Sequence, residues 1–322
     1  MKQFRIITKI IILVSLLNLS LDACTVKQPP DGPVTLKIAV LPILDALPMY
    51  VAEQEGLFEK HGVKVEFVSV LSAAERDQVI VAGQADGMIN DPVAVSLYNK
   101  EQPQVQIVRF AQISAPGQPM FRLLASGQSE IQGVDDLKNT EIGISEGTVI
   151  EYLVDRLLEV ANFANEEIKT IAVPKMTERM ALLGTGELKA AMLPEPLASL
   201  AVQNGARVII DDTSKPEISY STIAFRKAVI DQYPKAIRAF LAAIEDATTL
   251  INLDPQKWSN LLIEKKAVPQ PVAGSFQVPT YVTASFPSQA QWDDVMAWLK
   301  AKGLIKQDVS YSDSVTGEYL PK

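Results

Sequence analysis

Cysteine occurs once in this chain, at Cys24, and histidine once, at His61. A single cysteine forbids any disulfide within the chain. Without a Cys/His cluster there is no zinc- or iron-type ligand set, and no motif implies a cofactor. A Ser-His-Asp triad would have to be built on His61, which stands in a Lys-His-Gly turn and reads as a solvated helix end. Basic stripes are missing as well: 30 Lys and Arg stand against 38 Asp and Glu, a formal charge of −8. Such a surface disfavours nucleic acid, whose phosphates need clustered Lys and Arg; acidity of this size speaks to solubility. Nor is there an apolar run of the ~20 residues that a membrane-spanning helix needs.

What is there begins with an export pattern. Lys2, Arg5 and Lys9 precede a short apolar run, Ile10–Leu17, and Leu21-Asp22-Ala23-Cys24 follows. A basic start, a short apolar stretch and a small residue read as a secretory signal. The small residue ahead of cysteine resembles a bacterial lipoprotein signal, with Cys24 as the lipid-bearing residue, although Asp22 departs from the usual small or apolar residue there. Residues 1–23 are then a signal peptide and 24–34 a flexible tether, TVKQPPDGP at its heart. Acyl chains, not a spanning helix, would hold the body facing the periplasm or cell exterior.

The body is predicted to be α/β. In VTLKIAVLPILDALPMYVAEQEGLFEKHGVKVEFVSV, residues 34–70, Leu36, Ile38 and Val40 alternate with Thr35, Lys37 and Ala39, the pattern of a strand entering a sheet. Pro42 stops it, and Pro48 suits the first turn of a helix that ends near Gly56. Val63–Val68 begins a second strand. A strand–helix–strand unit of this length implies a parallel sheet with a right-handed crossover, and ligands in such sheets bind beyond the carboxyl ends of the strands.

The alternation goes on through a helix from Ala73, a strand ending at Ile89, a helix capped by Asn90 or Asp91, and a strand over Val105–Ala111. It resumes after Phe121–Ala125 with strands at Glu141–Ile144, Ile168–Val173, Ala190–Leu193 and Arg207–Ile210. Ser219–Phe225 is extended and able to return to the first lobe. From Lys227 onward the pattern is mostly helical, its tryptophans read as packing anchors, and Asp308–Lys322 is predicted to be a surface tail. A weak echo links the halves: Gly83-Gln84-Ala85-Asp86-Gly87 and Gly186-Glu187-Leu188-Lys189-Ala190 each end a helix and start a short strand that stops at proline.

Ala52, Gly56, Phe58 and Gly62, the Gly83–Gly87 segment, Gly133-Val134-Asp135-Asp136-Leu137-Lys138 before Ile142-Gly143-Ile144, and Leu193-Pro194-Glu195-Pro196 occur in one order and spacing. Together they resemble the ABC-importer substrate-binding lipoproteins of the nitrate/sulfonate/taurine and thiamine-pyrimidine-precursor group. That resemblance covers about Val34 to Phe225. It implies a two-lobed type II periplasmic-binding-protein fold with two crossing strands and a ligand cleft between lobes: lobe one over 35–120, lobe two over 121–222, and 223–322 as the return to lobe one with C-terminal helices. It further implies a monomer that closes on a small molecule and passes it to an ABC permease and ATPase, binding without catalysis. An enzyme of the same fold and a ligand-sensing lipoprotein are the alternatives of another class.

Cleft residues are expected at strand ends. In lobe one these are Leu44, Asp45 and Ala46, then Ser72 with its neighbours Leu71 and Ala73, then Asn90 and Asp91. In lobe two they are Ser145, Glu146, Gly147 and Thr148, then Glu195. Gly147-Thr148 reads equally as an anion cradle at a helix start and as a plain cap. Tyr50, Tyr152 and Tyr220 could stack on a ligand or pack the lobes. With Asp45, Asp91, Glu146 and Glu195 near the cleft and Arg76 as the nearby cation, a buried sulfonate or nitrate would be repelled. The expected ligand is a neutral or cationic nitrogen heterocycle, such as a pyrimidine or vitamin precursor; a sulfonate-, nitrate- or taurine-type anion is the alternative.

Overall fold

The computed structural model describes residues 32–322; the expected signal peptide, Cys24 and most of the tether lie outside them. Two five-stranded sheets organise these residues. The strands are β1 (Thr35–Val40), β2 (Lys64–Ser69), β3 (Gly87–Asn90), β4 (Val105–Ile113), β5 (Phe121–Ala125), β6 (Glu141–Ile144), β7 (Lys169–Ala172), β8 (Ala190–Pro194), β9 (Arg207–Asp211) and β10 (Tyr220–Arg226). The first sheet has the order β2-β1-β3-β10-β4 and the second β7-β6-β8-β5-β9.

The two orders are one pattern used twice. In each sheet the fourth strand runs antiparallel to both neighbours, and it belongs to a crossing: β5 enters lobe two from lobe one, and β10 returns. The lobe-two span 121–222 therefore ends inside β10, which is one continuous strand of the first sheet. The glycine echo falls at equivalent places, just before β3 and β8. Gly83 and Gly186 both take left-handed backbone, φ +69° and +79°, where a side chain would be strained.

β1 has Leu36, Ile38 and Val40 inside and Thr35 and Lys37 outside, as its alternation predicts; Ala39 is buried as well, on the other face of the strand. The following helix covers Leu47–Gln54 with Pro48 in its first turn, breaks at Gly56, and resumes for one turn over Leu57–Lys60. Against both pieces lies the long helix Pro234–Leu253. Its apolar face closes lobe one's core, Phe240 stacking on Phe58 at 5.4 Å and meeting Phe225 edge-on at 5.3 Å.

A second core runs between the lobes under the helix Gln289–Ala301. This helix packs on Pro92–Asn99 of lobe one and is pinned to Val149–Val160 of lobe two. Tyr152 Oη donates to Asp294 at 2.6 Å, Trp298 Nε1 to Asp155 at 2.8 Å, and Lys302 pairs with Glu151 and Asp155. Trp258, Trp292 and Trp298 are all buried, as packing anchors are. Among the described residues no helix is long and apolar enough to cross a membrane.

The surface-tail reading of Asp308–Lys322 is corrected. Ser314 and Val315 are buried. Val315 bridges Ile107 of β4, the Thr316 N–H donates to the Ile107 carbonyl at 2.9 Å, and Asn99 Nδ2 donates to Ser314 Oγ at 2.9 Å. The short apolar content of this segment hid its role, which is to cover the open edge of β4.

Candidate functional site

In lobe one, β1 and β3 run into the same rim from which β10 departs. The residues after β1, the residues after β3, the end of β4 and the start of β10 therefore lie along one edge. Leu44 and Ala46 are buried there, and the Leu44 carbonyl accepts the Tyr281 hydroxyl at 2.7 Å. Asp45, between them, keeps some solvent exposure while protein encloses it. Burial pushes its carboxyl above the usual carboxylate range. The nearby Ser221 hydroxyl offsets part of that rise without closing a hydrogen bond of normal geometry.

Ser221 faces Gln112 in the β10–β4 register. Ser221 Oγ and Gln112 Oε1 are both buried without a partner, an arrangement that costs free energy unless something else completes it. The Tyr220 hydroxyl is a third such group; its ring meets Phe110 edge-on at 5.1 Å. Burial, the Asp294 carboxylate and the Asp91 carboxylate, in that order, hold the Tyr220 phenol in its protonated, donating form. Asp91 caps the helix Pro92–Asn99 by accepting the Ala94 N–H at 2.9 Å. Its carboxyl is pushed up by burial and pulled back by Arg76. Asn90 is buried, its Oδ1 accepting the Asp91 N–H and its Nδ2 directed at Met88 Sδ. Ser72 is exposed and caps Ala73–Val81 through the Glu75 N–H at 3.1 Å.

Lobe two presents a different rim. Ser145, after β6, donates to the Pro174 carbonyl at 3.2 Å and accepts from Arg179 Nη1 at 3.0 Å. Glu146 is exposed. The Gly147 N–H donates to Glu151 Oε2 at 2.7 Å, and Thr148 Oγ1 caps the Ile150 N–H at 3.2 Å. Two N–H groups at this helix start, those of Gly147 and Ile150, are thus engaged by side chains of the same segment, as in a plain cap, while those of Thr148 and Val149 make no such bond. Glu195, after β8, is buried and forms an ion pair with Arg122 at 2.6 Å, at an angle too bent for a hydrogen bond.

Arg179 is the residue that sequence reading missed. Its guanidinium is fully buried, its only bonds go from Nη1 to Ser145 Oγ and the Val173 carbonyl, and Nε and Nη2 have no partner. Burial without a facing carboxylate depresses its pKa to about 10. The helical spacing Met176, Arg179, Met180, Leu183 places it on an inward face, and that spacing is the signal that could have found it. Arg76 is therefore not the sole cation near the cleft: Arg179 and Arg122 both reach lobe two's rim. Of the tyrosines, Tyr50 packs on Phe67 and under Lys265, and Tyr152 on Trp298; of these three, Tyr220 alone has a buried hydroxyl without a partner. Among the described residues no cluster of His, Cys, Asp and Glu could hold a metal ion.

Known proteins resemble this chain in sequence and fold. A Brachyspira hyodysenteriae protein named as an ABC transporter periplasmic binding protein is 22% identical over 268 residues, covering 79% of this chain and 76% of its own. A Haemophilus influenzae protein named for thiamine biosynthesis is 24% identical over 219 residues, 66% and 67% of the two chains. Among solved structures, the Staphylococcus aureus ligand-binding component of an ABC-type import system superposes with TM-score 0.74 at 13% identity, over 88% of this chain and 97% of that one. The Escherichia coli periplasmic aliphatic sulphonate-binding protein gives 0.72 at 19%, over 86% and 96%. Those likenesses establish the periplasmic-binding-protein fold. The profile of the NMT1-like family matches residues 29–262, most of the chain, and the chain belongs to that family.

Proposed function

We propose that this chain is the solute-capturing component of an ABC importer, exported, held at the membrane through Cys24, and closing its lobes on a small organic molecule for delivery to a permease. Hinge closure around a ligand is the behaviour this two-lobed architecture supports, and the named roles of the relatives agree with it.

The ligand class read from the site is a neutral or cationic molecule with N–H donors, such as a pyrimidine or other nitrogen heterocycle. The observation that carries it is the rim of lobe one. Gln112 Oε1, Ser221 Oγ and the Asp45 carboxyl converge there, and the first two lack partners. An amino-heterocycle edge would satisfy acceptors of this kind. A second reading, a ligand with an anionic group, is supported by the unpaired Arg179 guanidinium and by solved relatives named for sulphonate and nitrate binding.

A thermal-shift screen of the full chain against aminopyrimidines, vitamins, alkylsulfonates, nitrate and amino acids separates the readings. A binder at a hundredfold over its dissociation constant adds ~2.7 kcal/mol of apparent stability. A shift with heterocyclic amines supports the first reading. Tight binding of sulfonate or nitrate without amines overturns it in favour of the second.

A further inference from the structure

Both covalent connections between the lobes meet at one side chain. The first crossing leaves β4 at Ser114 and enters β5 at Phe121; the second leaves β9 at Asp212 and enters β10 after Ser219. Asp212 is fully buried. Its Oδ1 accepts from Ser114 Oγ at 3.0 Å and from the Met120 N–H at 3.1 Å. Its Oδ2 accepts from the Phe121 N–H at 3.0 Å and from Ser219 Oγ. Donors thus come from both ends of the first crossing and from the far end of the second. The Ser114 N–H also reaches the Ser219 carbonyl at 3.0 Å, so the two crossings run side by side through the carboxylate.

We propose that Asp212 is the clasp of the hinge: it binds the two crossings into a single pivot, so that the lobes turn about one axis instead of two independent linkers. A buried acid can be matched by a cation or by neutral donors. This one is matched by hydroxyls and main-chain N–H groups of the segments that must bend when the lobes move. Hydrogen bonds to a charged acceptor are the stronger kind, and a fully connected buried network holds one geometry. Removing the acceptor leaves two main-chain N–H groups and two hydroxyls to find other partners, and between the sheets the crossings are then joined by the Ser114–Ser219 main-chain bond without the carboxylate.

The test is a distance measurement between spin labels on the outer strands, at Glu66→Cys on β2 and Lys169→Cys on β7, in the full chain carrying Cys24→Ser. Asp212→Asn keeps the shape but turns an acceptor into a donor. The double variant Ser114→Ala with Ser219→Ala removes only the hydroxyl donors and reports should Asp212→Asn fail to fold. Asn99→Ala is the control, because Asn99 bridges Gln104, Val105 and Ser314 within lobe one. The clasp predicts an interlobe distance distribution about twice as broad in the hinge variants and unchanged in Asn99→Ala. Equal widths in all of them, with stability lost alike, would make Asp212 a fold-stabilising residue and overturn the proposal.

Discussion

The two rims of the cleft are built by the same topology and carry different chemistry. Lobe one offers the Asp45 and Asp91 carboxyls, an amide oxygen and hydroxyls, with Arg76 beside Asp91; lobe two sets Arg122, paired with Glu195, and Arg179, without a counter-charge, near the exposed Glu146. Position in the fold is inherited from the repeated sheet order, but the charge presented there is not, because it depends on single side chains such as Ser221 and Arg179. A molecule with donors at one end and an acceptor or anionic group at the other would satisfy both rims at once.

The largest effect expected from breaking this contrast is on affinity. Asp45→Ala should weaken an N–H-bearing ligand by about 10- to 100-fold, the equivalent of a hydrogen bond to a charged group at ~1.5–3 kcal/mol; calorimetry on the thermal-shift hit reads it. Arg179→Met should act differently on binding and on stability. A buried cation without a counter-charge is costly to keep, so the melting temperature should stay level or rise, while a ligand with an anionic end loses affinity. A fall in melting temperature with unchanged affinity would reduce Arg179 to a structural residue.

Next in size are two glycines in the sheets. A Cβ on Gly87 would sit 2.6 Å from the buried Phe225 ring, whereas one on Gly143 would meet the Leu188 methyl end at 2.7 Å. Gly87→Ala should therefore cost ~1–3 kcal/mol as overpacking against a stiff ring, and Gly143→Ala less, since a leucine end can turn aside. Chemical denaturation of both variants measures the difference.

The smallest effect is on pH dependence. Burial raises the carboxyls of Asp45 and Asp91, and that of Asp212 to about 6. A carboxyl raised by folding contributes stability that is complete below the ordinary carboxylate range and is lost as pH rises through its folded value. The chain should accordingly gain stability from these groups as pH falls from 7 towards 4. Asp45→Asn should raise the melting temperature at pH 7 and change it less at pH 4. Arg179, depressed to about 10, adds nothing in that window.

Strands and helices were legible because apolar alternation and proline or glycine stops are local. Leu36, Ile38 and Val40 needed no tertiary information, and the caps Asp91 and Thr148 were among the local readings, Asp91 beside Asn90 and Thr148 beside an anion cradle. The tail over Asp308–Lys322 was not legible, since its place beside β4 rests on the Ile107–Val315 bridge and a few hydrogen bonds. The candidate site, as a meeting of side chains, was half legible. Asp45 and Asp91 follow from their positions after strands, but Ser221, Gln112 and Tyr281 reach the same rim from three distant segments, and their meeting depends on the β10–β4 register. Arg179 was hidden because a lone arginine on a helix is ordinarily solvated, and nothing local says that Gly143 leaves room for its stem.

The most direct measurement of the central claim is a crystal structure of the chain with its thermal-shift hit bound. Ligand density between the lobes, within hydrogen-bond reach of Asp45 and Ser221 on one rim and of lobe two's rim at Ser145 on the other, is the predicted result. Density elsewhere, for example in the open groove lined by Tyr98, Gln104, Arg226 and Lys227 at the opposite edge of lobe one, would contradict it.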